Sequence, residues 1–259
     1  MRFLLLILLL TPGISQNKTI ELNNVLDGTF RTSGIGSYNW VNGEDAYYFS
    51  ESDSDGKHFY IYNLASDDTT KAFSINTDII DRFSSTFSDN QTKLLLKTNS
   101  IKIWRHSSYG TYHVYDINTD SIQPVSDDPD SLRNVKFSPN SEHVSYVRND
   151  NNLYIYSLNN LEETQLTFDG SETILNGHFG WVYEEEFGSY DAYRWSPNSQ
   201  YIAFCREDQS MVRKYPLIDY GTKYPTVKYI YYPKAGEDNP EVSIGLIDIV
   251  NEQADIRTL

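Results

Sequence analysis

Disulfide cross-linking within the chain is excluded by its one cysteine, Cys205, which has no second thiol to meet. The sequence leaves it the role of a small buried hydrophobe. Basic side chains are scarce: 21 Lys and Arg stand against 36 Asp and Glu, a formal charge of −15. That balance argues against a phosphate-backbone partner, and no nucleic acid is expected. Long apolar runs are scarce too. The run at 3–10 would span only about 12 Å as a helix, against a hydrocarbon core of roughly 30 Å, so membrane anchoring is the weaker reading of it. It follows Arg2 and precedes small residues at Gly13 and Ser15, which predicts an export signal over residues 1–15 and a secreted or periplasmic product. His58, His106, His113, His143 and His178 are scattered, none with a second ligand at metal spacing, and neither a metal nor another cofactor is expected.

Aromatic residues are plentiful: 21 Tyr, 12 Phe and 4 Trp can bury a core although only 39% of the chain is apolar. A folded domain follows, not an acidic disordered tail. The chain also repeats itself. An aromatic residue followed by a tight turn recurs as Trp40-Val41-Asn42-Gly43, Phe87-Ser88-Asp89-Asn90, Phe137-Ser138-Pro139-Asn140 and Trp195-Ser196-Pro197-Asn198. The last three lead into apolar strands at 92–97, 143–148 and 200–206, and strands of a second shared type lie at 60–64, 113–117 and 154–158. The anchors at 40, 87, 137 and 195 stand 47, 50 and 58 residues apart. Several short strands per unit of this length predict an all-β fold of propeller blades, each of four antiparallel strands.

The last interval is the longest, and its extra length carries Trp181-Val182-Tyr183-Glu184-Glu185-Glu186-Phe187. Three adjacent carboxylates repel one another, and poorly solvated among aromatics they gain from an incoming cation. The plain alternative is a solvated acidic patch. A helical turn over 183–190 sets Glu185 and Glu186 about 100° apart around its axis, so that both can reach one ammonium.

The ordered set of Trp104-Arg105-His106-Ser107, Asn176-Gly177, Trp181 to Glu186, Trp195-Ser196-Pro197-Asn198, Tyr215-Pro216-Leu217-Ile218-Asp219-Tyr220, Tyr232-Pro233-Lys234-Ala235-Gly236 and Asn239-Pro240 resembles the dipeptidyl peptidase IV family, within the prolyl oligopeptidase group of serine peptidases. The resemblance covers most of residues 20–250. It implies an eight-bladed propeller followed by an α/β-hydrolase domain, acting as an exopeptidase that removes N-terminal Xaa-Pro or Xaa-Ala dipeptides. It also implies that Glu185 and Glu186 bind the substrate α-ammonium and that Arg105 binds the carbonyl between the first two substrate residues. Glu184 is left a supporting role. Arg105 has a second reading as the neutralising partner of the two Glu, and the two roles are compatible.

Four departures accompany the likeness. Gly180 stands where relatives often carry Asp, which predicts a looser approach to the Glu helix. Segment 211–224 resembles the arm through which such enzymes dimerise, but it is short; a homodimer through it is the expected self-association. Four anchors supply about four of eight blades, so residues 16–259 are expected to be a partial propeller. No Gly-x-Ser-x-Gly nucleophile elbow occurs, and Ser138 and Ser196 lie in blade turns without flanking glycines. The catalytic domain is therefore expected outside this chain, which alone should be inactive and carry no catalytic residue. A non-catalytic propeller that binds peptide N-termini or a protein partner is the alternative, and a tripeptidyl peptidase is a close variant. Asn17 and Asn90 head N-glycosylation sequons.

Overall fold

The computed structural model describes residues 19–32, 36–126 and 131–250, and the backbone of 253–258. The predicted export signal and the Asn17 sequon lie outside them. Residues up to Ser37 form a unit of their own. In it Leu22–Leu26 makes one helix, α1, closed by a capping box between Glu21 and Asn24. The second unit, from Tyr38 onward, is built from sheets.

Four sheets of antiparallel strands follow one another along the chain, as the repeat predicts. The first holds β1 (Tyr38–Trp40), β2 (Ala46–Ser52), β3 (Gly56–Asn63) and β4 (Asp68–Asn76) in sequential order. The second holds β5 (Ser84–Phe87), β6 (Lys93–Lys102), β7 (Ser108–Asp116) and β8 (Ser121–Pro124). The third is β9 (Arg133–Phe137), β10 (His143–Val147), β11 (Leu153–Ser157) and β12 (Glu162–Gln165). The fourth is less regular. Its first strand comes in two pieces, β13 (Ile174–Asn176) and β14 (Tyr193–Trp195), with helix α2 (Trp181–Phe187) between them, followed by β15 (Tyr201–Asp208). A separate hairpin of β16 (Lys214–Asp219) and β17 (Thr226–Tyr231) precedes β18 (Glu241–Asp248) and β19 (Gln253–Thr258), which complete the sheet.

Each anchor ends the first strand of its sheet, and one chemistry makes the turn that follows. The backbone N–H of Val41, Ser88, Ser138 and Ser196 donates to the carbonyl five residues on, at 2.9, 2.9, 2.9 and 2.8 Å. In the last three repeats the serine hydroxyl also donates to the asparagine two residues later, at 2.8, 2.7 and 2.7 Å. The same asparagine oxygens accept the backbone N–H of Thr92, Glu142 and Gln200. Ser and Asn side chains thus mimic backbone partners where the strand ladder stops. Asn90, head of a sequon, is one of these turn residues.

The cores lie between consecutive sheets, and this explains the continuous apolar runs. A strand buried on one face alternates apolar and polar; one buried on both does not need to. Along β6, Leu94 and Leu96 pack with Phe59 and Ile75 of the first sheet, while Leu95 between them packs with Val144 and Tyr146 of the third. Along β11, Tyr154 and Tyr156 face the second sheet, and Leu153 and Ile155 face Ile202 and Phe204 of the fourth. Full burial of each such side chain contributes about 1.5–3 kcal/mol. Both end sheets carry large apolar side chains that are exposed. Tyr38 and Trp40 of the first sheet are 55% and 57% exposed, and Ile244 and Leu246 of the fourth are 41% and 47% exposed.

The split strand accounts for the 58-residue interval. β13 pairs with β15 at Arg206 to Asp208, and β14 pairs with the same edge at Ile202 to Phe204. Between them Gly177 N–H donates to Cys205 O at 3.0 Å, and Cys205 N–H donates to Ala192 O at 2.8 Å, so the edge resumes after residues 178–191 leave it. Cys205, expected to be buried, sits at this seam and is half-buried, with burial raising its thiol pKa.

Candidate functional site

The excursion from the split strand carries α2, with different bounds from those expected. The helix runs over Trp181–Phe187 and not over 183–190, because Gly188 adopts φ 65° and turns the chain out of it. Gly188 N–H donates to Glu184 O and Ser189 N–H to Tyr183 O, both at 3.0 Å. Phe179 stacks on Tyr183 at 4.7 Å, and Trp181 packs against Tyr232, just beyond β17, at 5.3 Å. The helix is therefore wedged between its own sheet and the base of the hairpin.

Across from it lies the loop joining β6 to β7, which carries Arg105. The loop is closed by Ile103 N–H donating to Ser107 O at 3.0 Å. Trp104 in the loop lies under the Lys228 ammonium of β17, 4.1 Å from its ring centroid. Glu184 joins the loop to the helix. It is fully buried, and its Oε1 accepts the backbone N–H of His106 at 2.7 Å and of Ser107 at 2.9 Å, while Oε2 accepts the Ser107 hydroxyl at 2.6 Å. One charged carboxylate thus orders two successive amides, and the residue before them is Arg105.

The consequence is a fork at the surface. Arg105 Nε donates to both carboxylate oxygens of Glu185, at 3.0 and 3.2 Å, and Nη2 donates to Oε1 as well. Hydrogen bonding and charge hold the Glu185 carboxyl below its usual pKa and raise that of the guanidinium. Glu186, one residue further round the helix, is exposed and has no hydrogen-bond or ion-pair partner among the described residues. The structure therefore brings Arg105 and Glu185 together, the neutralising arrangement, and leaves Glu186 free beside them. A positive charge entering here meets one free carboxylate and one shared carboxylate; a carbonyl oxygen meets the outward edge of the guanidinium.

Gly180, expected to loosen the helix approach, is instead tied down. It is the N-cap residue, and its N–H donates at 2.8 Å to Oε2 of Glu207 on β15. A Cβ at position 180 would come within 3.0 Å of Glu207 Oε1, so glycine and the buried acid fit together. Burial raises the Glu207 carboxyl from 4.5 to about 7. The folded protein thus holds a proton that the unfolded chain releases between roughly pH 4.5 and 7, and stability falls as pH rises through that window. Glu207→Gln keeps an acceptor for Gly180 without the buried charge. It should match the native protein near pH 4.5 and exceed it above pH 7, by up to about 3 kcal/mol, in thermal melts of both across that range. A constant offset at every pH would show that the charge is not the cause.

Glu207 and the anchoring contacts of Ser107 with Glu184 are what the motifs do not reveal by themselves. A signal for Glu184 becomes readable only once the helix start at Trp181 is known: three positions after it in a short helix, Glu184 then shares the face that turns inward.

The sequence model described as "Dipeptidyl peptidase IV (DPP IV) N-terminal region" matches residues 88–259. "Probable dipeptidyl-aminopeptidase B" of Talaromyces marneffei is 33% identical over 277 aligned positions, covering 94% of this chain and 30% of that protein. Dipeptidyl aminopeptidase B of Saccharomyces cerevisiae is 39% identical over 166 positions, 61% of this chain and 20% of its own length. The chain spans about 30% of the length of the first of these relatives. Among solved structures, dipeptidyl peptidase 4 of Porphyromonas gingivalis superposes with a TM-score of 0.82 at 29% identity, over 94% of this chain and 35% of that one. Sheet architecture and sequence agree, and the chain belongs to the dipeptidyl peptidase IV N-terminal region family.

Proposed function

We propose that this chain is the substrate-docking part of a secreted serine exopeptidase that releases N-terminal dipeptides, Xaa-Pro or Xaa-Ala. In this reading Glu185 and Glu186 receive the α-ammonium of the peptide, and Arg105 turns part of its guanidinium to the carbonyl between the first two residues. The observation that carries the reading is the Glu184 lock. A buried carboxylate spent on holding Arg105 beside Glu185 has no purpose in a merely solvated acidic patch, and burying it is costly. A fixed distance from this fork to a nucleophile on another domain then acts as a ruler that admits a set number of residues.

Further support comes from the end sheets, whose exposed apolar faces would be covered by additional blades of a closed ring. The catalytic Ser, Asp and His would lie on the α/β-hydrolase domain that the family resemblance implies. The β16–β17 hairpin coincides with most of the expected arm at 211–224 and exposes Ile218, Tyr220, Tyr224 and Tyr229, a surface suited to a homodimer contact.

The test is hydrolysis of Gly-Pro and Ala-Pro amides by the complete protein. Cleavage after the second residue is expected, with N-acetylation lowering kcat/KM by about tenfold or more, since an acetylated end leaves the carboxylates unpaired. Equal rates for free and acetylated substrates would remove the amine-reading role. Cleavage after the third residue would move the reading to a tripeptidyl peptidase.

A further inference from the structure

Next to the fork lies a cavity of about 590 Å³ whose charge is opposite to that of the chain as a whole. Lys97 of β6, Lys136 of β9 and Arg194 of β14 line it with one acid, Asp191, and its rim includes His106 and Tyr190. Three sheets therefore contribute a cation each. Asp191 is shared: Lys136 Nζ lies 2.6 and 2.8 Å from its two oxygens, and Arg194 Nη1 lies 2.9 Å from Oδ2. Lys97 has no carboxylate partner among the described residues; its ammonium donates to Ser108 Oγ at 2.6 Å. Three cations against one carboxylate leave a local surplus of positive charge in a chain of net −15.

The two lysines are held in place. The Lys97 stem lies across Gly110 of the paired strand, where a Cβ would come within 2.5 Å of Lys97 Cε, and its ammonium stands 5.7 Å from the Tyr112 ring centroid. Lys136 Nζ sits 3.7 Å from the Tyr193 ring centroid and also donates to Tyr193 O at 3.0 Å, and burial lowers its pKa to about 8. Ammonium groups taken partly out of water without a full set of counter-charges gain from an arriving anion. His106 follows Arg105 in the chain and stacks on Tyr190 at 6.1 Å, so the cavity opens beside the place proposed for the peptide amine.

We propose that this cavity is a specificity subsite for an acidic side chain, Asp or Glu, near the N-terminus of the peptide. The carboxylate enters between Lys97 and Arg194, while Lys136 and Asp191 set the floor. The inference rests on the amine-docking reading for its choice of a peptide as the source of the carboxylate.

The test uses the complete protein and peptides made uncleavable by reduced amide bonds. Each peptide is compared as a Glu and a Gln form at position one, two or three, with free and with acetylated N-termini. At one of these positions Glu should bind about five- to tenfold more tightly than Gln at low salt, and the ratio should shrink as salt rises. Lys97→Gln combined with Arg194→Gln should bring the ratio to about one, whereas Lys97→Arg should preserve it. No Glu preference at any position overturns the proposal, as does a preference that survives the double substitution. Sulfate that binds the cavity with no Glu-over-Gln preference makes it a site for free anions and also overturns it. A Glu preference that persists when acetylation has no effect upholds the subsite and sinks only the amine reading; the reverse pattern sinks the subsite alone.

Discussion

Replacing Glu185 and Glu186 together by Ala in the complete protein should lower kcat/KM for free-amine dipeptide amides by about 10²–10³-fold, or roughly 3–4 kcal/mol of transition-state binding. The two single substitutions should not be equal. Glu186 is exposed with no partner among the described residues, so its loss removes one attraction. Glu185 is held by Arg105. Its loss leaves the guanidinium unpaired beside an incoming ammonium and adds a repulsion to the missing attraction, so Glu185→Ala should be the more harmful. Because both acids act on one charge, the double variant should fall short of the summed single effects. Acetylated substrates provide the control, since with no ammonium to bind they should respond far less. Unchanged kinetics in both single variants would refute the assignment.

A second large effect is expected where no substrate is touched. Glu184→Ala removes the acceptor of three hydrogen bonds and leaves the Ser107 amide and hydroxyl, both buried, and the half-buried His106 amide without it. The cost to the region should be about 3–5 kcal/mol, read as a lower melting temperature and as lost hydrogen-exchange protection at the His106 and Ser107 amides. Glu184→Gln should be much milder. Its carbonyl oxygen still accepts both amides, and its NH₂ donates to the Ser107 oxygen, which is able to accept. Arg105 then loses its fixed position in the Ala variant and keeps it in the Gln variant, so substrate turnover should follow the same order. An Ala variant that melts and exchanges like the native protein would show that the loop is held by other means, such as the Trp104–Lys228 contact.

The site residues were legible to different depths, for reasons visible in the residues themselves. The Ser-Pro-Asn and Ser-Asp-Asn turns were readable because their chemistry is local: hydroxyl, amide and backbone N–H lie within five residues of one another. The strands at 92–97 and 143–148 were readable because a short β-type stretch, Leu94-Leu95-Leu96 in one and Val144 to Val147 in the other, is buried on both faces and is bounded by polar residues. The Glu triplet stood out by composition, but which of its members faced inward did not. That choice depends on where α2 starts, and between Gly180 and Gly188 the helix starts two residues and ends three residues earlier than the expected turn over 183–190.

The amino-acid sequence by itself determined the blade repeat, the place of the insertion in the fourth unit and the family resemblance, since each is written in residues close together along the chain. Tertiary structure alone decided that β13 and β14 are one interrupted edge, that Glu184 spends its charge on a loop 77 and 78 residues away, and that Glu207 sits under Gly180. It also gathered Lys97, Lys136 and Arg194 into one cavity. The physical reason is common to all of these. A carboxylate or an ammonium interacts with whatever lies within a few ångströms, and in stacked sheets those neighbours come from other blades.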